Sequence, residues 1–254
     1  MKRPLNLLNL VVGLVLALTW PLARSADHVL AITISEYKSG ASVGPLAGVL
    51  ADRRSALAIA ERIGFDTSGA VELHDRQATL AGIRNAFERL LLAVKPNDRV
   101  FVYFSGHGGS KRISNACQSS LITHDDEDLM SMEFYGQLEQ LKTRAPRQIF
   151  VMLDACHSGD FTERAARTKG QSLPQMRPKM RTLPKSGEIP CDAPINDLAA
   201  KLRASGRMRL AAKGTTNEEL GGQLVMISAA QHNEVAWDSD QGGMATNVSA
   251  PIQI

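Results

Sequence analysis

Five consecutive apolar residues, Ile149-Phe150-Val151-Met152-Leu153, run directly into Asp154-Ala155-Cys156-His157-Ser158-Gly159. A strand with no polar alternation has no face to give to water, so it must be covered on both sides, as in a parallel sheet held between helices. Residues 29–34, 99–104 and 224–228 repeat the pattern, and residues 70–73 make a weaker strand. Between them lie helical spacings. In residues 46–63, Val49, Ala56, Ala60 and Ile63 share one face, with Gly64 as the terminator. Thr79 caps a second helix carrying Leu80, Ile83, Phe87, Leu90 and Val94. Residues 131–142 carry Phe134, Leu138 and Leu141 and stop ahead of Pro146. Residues 111–128, polar and acidic, read as a loop. Strands alternating with helices predict an α/β layered sandwich with a mostly parallel central sheet.

The flanks differ from this core. Two charges in residues 1–3, an apolar run at 5–20 and Ala23-Arg24-Ser25 have the layout of a secretory signal peptide over 1–25. The run falls short of the ~20 residues that span a bilayer, so export to the periplasm or medium is expected, with a membrane anchor as the alternative if the segment stays uncleaved. Export makes the three cysteines worth counting. With Cys156 free, Cys117 and Cys191 either pair in an oxidising compartment or remain separate thiols. Residues 160–215 hold 12 Lys/Arg against 5 Asp/Glu and five of the chain's 11 prolines. That composition predicts a basic linker over 166–222, exposed and partly disordered. A net charge of +3 on 254 residues, with no aromatics interleaving the basic run, argues against a nucleic-acid partner. The 44% apolar content supplies a core, and a monomer is expected.

Ligands of parallel sheets sit at the carboxyl ends of the strands. Two such ends carry reactive groups, Ser105-Gly106-His107-Gly108 and Asp154-Ala155-Cys156-His157, about 50 residues apart. That distance accommodates one helix and brings the two strands side by side, so that His107 can face Cys156. An unperturbed thiol, with a pKa near ~8.5, is only a few per cent thiolate at neutral pH, and a neighbouring imidazole raises that fraction. The glycines around His107 allow close approach of a substrate backbone and leave the Gly108 amide able to donate to an oxyanion. His157 is a poorer base, because adjacent side chains on extended backbone point apart. Plainer readings are a core thiol for Cys156, a packed or surface imidazole for His107, and a surface charge for Asp52 beside Arg53 and Arg54.

These blocks resemble the caspase-like cysteine peptidases (family C14), within them the metacaspase and bacterial orthocaspase branch, in which an Asp stands where caspases carry Gln two residues before the Cys. The likeness covers residues 28–165 and resumes at 224–246. It implies a three-layer α/β/α caspase-like sandwich, with a catalytic core over 26–165 and a small-subunit part over 223–254. It implies Cys156 as nucleophile, His107 as general base, and the Gly108 and Cys156 amides as oxyanion hole. Asp52, Ser105 and Asp154 fall on the positions lining the pocket for the residue before the cut. Two carboxylates there attract a cation, so protein substrates carrying Arg or Lys are expected. The basic linker would then be open to self-cleavage. Relatives continue beyond the segment matching 242–246, so the C-terminal part is expected to be truncated. Many metacaspases bind calcium; residues 124–128 (His-Asp-Asp-Glu-Asp) and Glu163 are the candidates here, with no clean ligand spacing, and no metal site is assigned. Two other readings stand: a catalytically silent caspase-like module that binds partners, and a His/Cys peptidase of the gingipain or legumain type.

Overall fold

A computed structural model describes residues 25–113, 116–155, 177–179, 181, 209–210, 224–228, 237–239 and 242–243. The signal-peptide segment, Cys156, His157, Glu163, Cys191 and the Cys117 side chain lie outside the described residues.

Strands β1 (Asp27–Thr33), β2 (Val71–His74), β3 (Arg99–Ser105) and β7 (Gln148–Asp154) form a parallel sheet with β9 (Arg209–Leu210) and β10 (Leu224–Ser228), in the order β2-β1-β3-β7-β10-β9. The apolar runs explain the layering. Alternate residues of each strand point to opposite faces, and here both faces are covered. Leu30, Ile32, Val100, Val102, Phe104, Ile149, Val151 and Leu153 pack against helices α2 (Leu80–Ala93) and α3 (Ser131–Lys142) through Ile83, Phe87, Phe134 and Leu138. Val29, Ala31, Phe101, Tyr103, Phe150 and Met152 pack against α1 (Val49–Arg62) through Ala56, Ile59 and Ala60. The result is a three-layer sandwich of the caspase-like kind.

Residues 111–128, expected to be a loop, belong mostly to a separate antiparallel sheet. It comprises β4 (Gly108–Ile113), β5 (Ala116–Ile122) and β6 (Asp128–Met130). Its strands are too polar to show periodicity, and the sheet is held by backbone pairing and by a few apolar anchors, Leu121, Ile122 and Leu129, all buried. A third small sheet joins β8 (Arg177–Pro178), β11 (Trp237–Ser239) and β12 (Gly242–Gly243), so a piece of the basic linker pairs antiparallel with β11. Immediately after it, Lys179 and Arg181 are buried rather than exposed.

Strand register fixes which residues meet at the carboxyl edge of the main sheet. Thr33 pairs with Ser105, and Ser105 with Asp154, so β1, β3 and β7 end level.

Candidate active site

Ser105 and Asp154 are register partners at the ends of adjacent strands, and Asp52 reaches them from the first turn of α1. All three are fully buried. Asp52 stands on the apolar face of its helix, one turn after Val49 and one before Ala56, where a carboxylate is costly unless it is paired. The pairing comes from the linker. Lys179 Nζ lies 2.8 Å from Asp52 Oδ2, 2.8 Å from Ser105 Oγ and 3.3 Å from Asp154 Oδ1. The Ser105 hydroxyl donates to the same Asp52 oxygen at 2.7 Å, which leaves its lone pairs to accept from the ammonium. Burial pushes the Asp52 carboxyl above the ordinary carboxylate value, the Lys179 charge opposing and the Asp154 charge reinforcing the shift. Two carboxyl groups and one ammonium therefore share the pocket.

The backbone of the same segment is also engaged. The Gly108 amide donates to the Lys179 carbonyl at 2.9 Å, and the Arg181 amide donates to the Gly108 carbonyl at 2.9 Å. With β8 paired to β11 on the preceding side, residues 177–179 and 181 pair with neighbouring backbone in strand-like fashion, a mode by which extended peptides add to an exposed edge.

His107 sits between this segment and the loop after β1. Its Nε2 is 2.9 Å from the Gly44 carbonyl oxygen. A carbonyl only accepts, so the neutral ring carries its proton on Nε2 and presents a bare lone pair at Nδ1. That Nδ1 is buried and makes no hydrogen bond. Burial lowers the pKa of His107 to about 4, so the ring is neutral at pH 7. Its backbone amide donates to the Tyr37 hydroxyl at 2.8 Å, and the two rings lie 5.2 Å apart. Burial drives the Tyr37 phenol pKa upward, so the hydroxyl keeps its proton. A Cβ at Gly106 would stand 3.0 Å from that hydroxyl, which explains the glycine ahead of His107.

Beyond Gly108, Arg181 Nη1 is 3.0 Å from Asp128 Oδ1 and Nη2 is 3.0 Å from Asp126 Oδ1. Asp126 also accepts from the Ser42 amide and hydroxyl at 3.1 and 2.7 Å, and Asp128 from the Ser120 hydroxyl at 2.7 Å. Burial raises the Asp126 pKa, but the Ser42 and Arg181 hydrogen bonds outweigh it and hold the carboxyl below the usual range.

The structure thus gathers His107, Gly108, Ser105, Asp52 and Asp154 at one edge. Cys156 lies outside the described residues, two positions beyond Asp154. Within the acidic run 124–128, Asp126 and Asp128 hold Arg181, and Asp125 accepts from the Leu80 amide and the Thr123 hydroxyl. Asp126 and Asp128 thus share one guanidinium, while Asp125 is taken up by other donors. Among the described residues no three His, Cys, Asp or Glu side chains converge as a metal site. Likewise, no described helix is long and apolar enough to cross a membrane.

Tyr37, the Gly44 carbonyl and Lys179 were not legible as site residues in the sequence, and Asp126 and Asp128 were singled out only as candidate calcium ligands. Tyr37 alone carries a signal, as a lone aromatic in a Gly/Ser-rich turn.

Comparison with known proteins agrees with the layered fold. A crystal structure of protein GSU0716 from Geobacter sulfurreducens superposes with a TM-score of 0.59 at 19% identity, covering 87% of this chain and 79% of that one. Metacaspase-7 of Arabidopsis thaliana is 26% identical over 125 residues, which span 45% of this chain and 30% of that protein. The caspase-domain family of peptidases (C14) matches residues 26–248. With most of its length inside that match, the chain belongs to the caspase-domain peptidase family.

Proposed function

We propose that the chain is an exported cysteine endopeptidase that cuts after Lys or Arg and cleaves itself in its basic linker, after Lys179. The observation that carries this is the lysine of the linker seated in the Asp52–Ser105–Asp154 pocket, with its own carbonyl on the Gly108 amide. A substrate whose cation fills the pocket would present its following peptide bond at the same place.

In the proposed reaction the Cys156 sulfur attacks the carbonyl carbon as its proton passes to His107 Nδ1. Negative charge gathers on the carbonyl oxygen, where the Gly108 amide is already positioned to donate, with the Cys156 amide as second donor. His107 then gives the proton to the departing amine as the C–N bond breaks. Water, deprotonated by the same imidazole, hydrolyses the thioester and restores the thiol. The Gly44 carbonyl keeps the ring in the tautomer that leaves Nδ1 free. Arg fits the pocket as Lys does, with five donors for two carboxylates and a hydroxyl.

The test is hydrolysis of coumarin peptides ending in Lys, Arg, Asp or Leu by the full chain, with and without added calcium, beside Cys156→Ala and His107→Ala. Hydrolysis confined to Lys and Arg and lost in both variants is expected, together with a new N-terminus at Met180 in the wild type alone. No hydrolysis under either condition would favour a catalytically silent binding module. Nicking of Cys156→Ala at the wild-type rate would remove self-cleavage. The calcium arm decides whether a metal outside the described residues contributes.

A further inference from the structure

The linker segment makes a second charged contact that the pocket for Lys179 does not explain. Two residues on, the Arg181 guanidinium is almost fully buried, and it spans Asp126 and Asp128 through both terminal nitrogens. The contact is organised from both sides. Arg181's own amide is tied to the Gly108 carbonyl, and that same residue's amide holds the Lys179 carbonyl. The spacing from the first cation to the second is therefore measured along the backbone at Gly108. On the receiving side, the Ser42 and Ser120 hydroxyls orient the two carboxylates. Asp126 takes its position with φ +59°, in the left-handed region that Asp tolerates better than most residues.

We propose, resting on the peptidase reading, that Asp126 and Asp128 form a second acidic subsite, on the leaving-group side of the cut, which binds a basic side chain two residues after the cleaved bond. The substrate read by this enzyme is then Lys/Arg-x-Arg/Lys, with the bond broken after the first cation. A residue between the two cations carries no selectivity in this scheme. The linker repeats the spacing elsewhere, at Arg167-Thr168-Lys169, Lys201-Leu202-Arg203 and Arg207-Met208-Arg209. Each is a candidate for later cuts in the same linker, and protein substrates should carry the same pair.

The experiment uses the self-processed full chain and internally quenched peptides that share the sequence up to Lys-Met and differ only in the next residue, Arg, Lys, Ala or Glu. Peptides with Arg or Lys there should show kcat/KM roughly tenfold or more above Ala, the scale of a charge-assisted bidentate contact, with Glu below Ala. In Asp126→Asn/Asp128→Asn the Arg-to-Ala ratio should fall towards one. A coumarin peptide ending in Lys, which has no residue at the second position, reads the first pocket alone. If it is cut while the quenched series shows ratios near one in the wild type, the second subsite is overturned and the peptidase reading stands. If it is not cut, both fall. A preference for Arg that persists undiminished in the double variant assigns the contact elsewhere and overturns the proposal. Because the wild-type series alone can refute it, the outcome does not depend on the variant folding.

Discussion

Asp52 is the acid that an amphipathic helix should not contain. Val49, Ala56 and Ala60 define the buried stripe of α1, and Asp52 interrupts it with a carboxylate that burial pushes towards its neutral form. Protonation would remove the charge that holds a substrate cation. Affinity for Lys and Arg peptides should therefore weaken as pH falls through a value above the ordinary aspartate range, seen as a rising KM with neutral-residue controls unaffected. His107 titrates in the other direction. The unfolded chain takes up a proton on this ring near ~6.5, the folded chain only at about 4. Below ~6.5 the unfolded state binds more protons, so this residue costs stability as pH drops from about 6.5 to about 4 and none of it above that window. The loss is on the order of 3 kcal/mol. Urea unfolding at pH 7 and pH 4.5 should show it in the wild type and lack it in His107→Gln.

At the scale of elements, the strand ends and the β4–β5 hairpin divide the work. β3 and β7 set Ser105 beside Asp154 by register alone, while the hairpin carries the Gly108 backbone and anchors it through Ile122, whose amide donates to the His107 carbonyl at 2.9 Å. Close packing there depends on Gly109. A Cβ at that position would stand 2.8 Å from Ile122 Cδ1 and 3.2 Å from Ser120 Oγ. Gly109→Val should cost about 1–3 kcal/mol by overpacking. It should also lower turnover, because the displaced strand includes the Gly108 amide. Adding Ile122→Ala removes the clashing methyl, so a double-mutant cycle should show recovery of part of the loss. Independent, additive losses would mean that the two side chains do not meet.

For the molecule as a whole, the described part of the linker around Lys179 is seated in the candidate cleft. On the peptidase reading, Lys179, Arg181 and the Gly108 contacts take the positions an external peptide would need. Full-length protein should show a lag in coumarin-peptide hydrolysis that ends as cleavage after Lys179 proceeds. Lys179→Ala should remove both the lag and that cut, measured by progress curves alongside intact mass. A lag unchanged in Lys179→Ala would assign the delay to another segment.

Five of the six parallel strands and α1–α3 were legible in the sequence because each buries a continuous or periodic apolar set, and periodicity is a local property; β9 (Arg209–Leu210), inside the basic linker, was not. His107 and Gly108 were legible because they end such a strand among glycines. The hairpin was not, since its polar residues leave no period, and neither was Lys179, whose composition reads as solvent-facing.

What the sequence determined by itself was the layered α/β sandwich and the strand ends where chemistry would collect, because burial of five-residue apolar runs admits few arrangements. What only the tertiary structure decided was the pairing of charges. Asp52, Asp154 and Lys179 meet across 127 residues of chain, and a buried ion pair arises from where the backbone delivers its members, which no local pattern records.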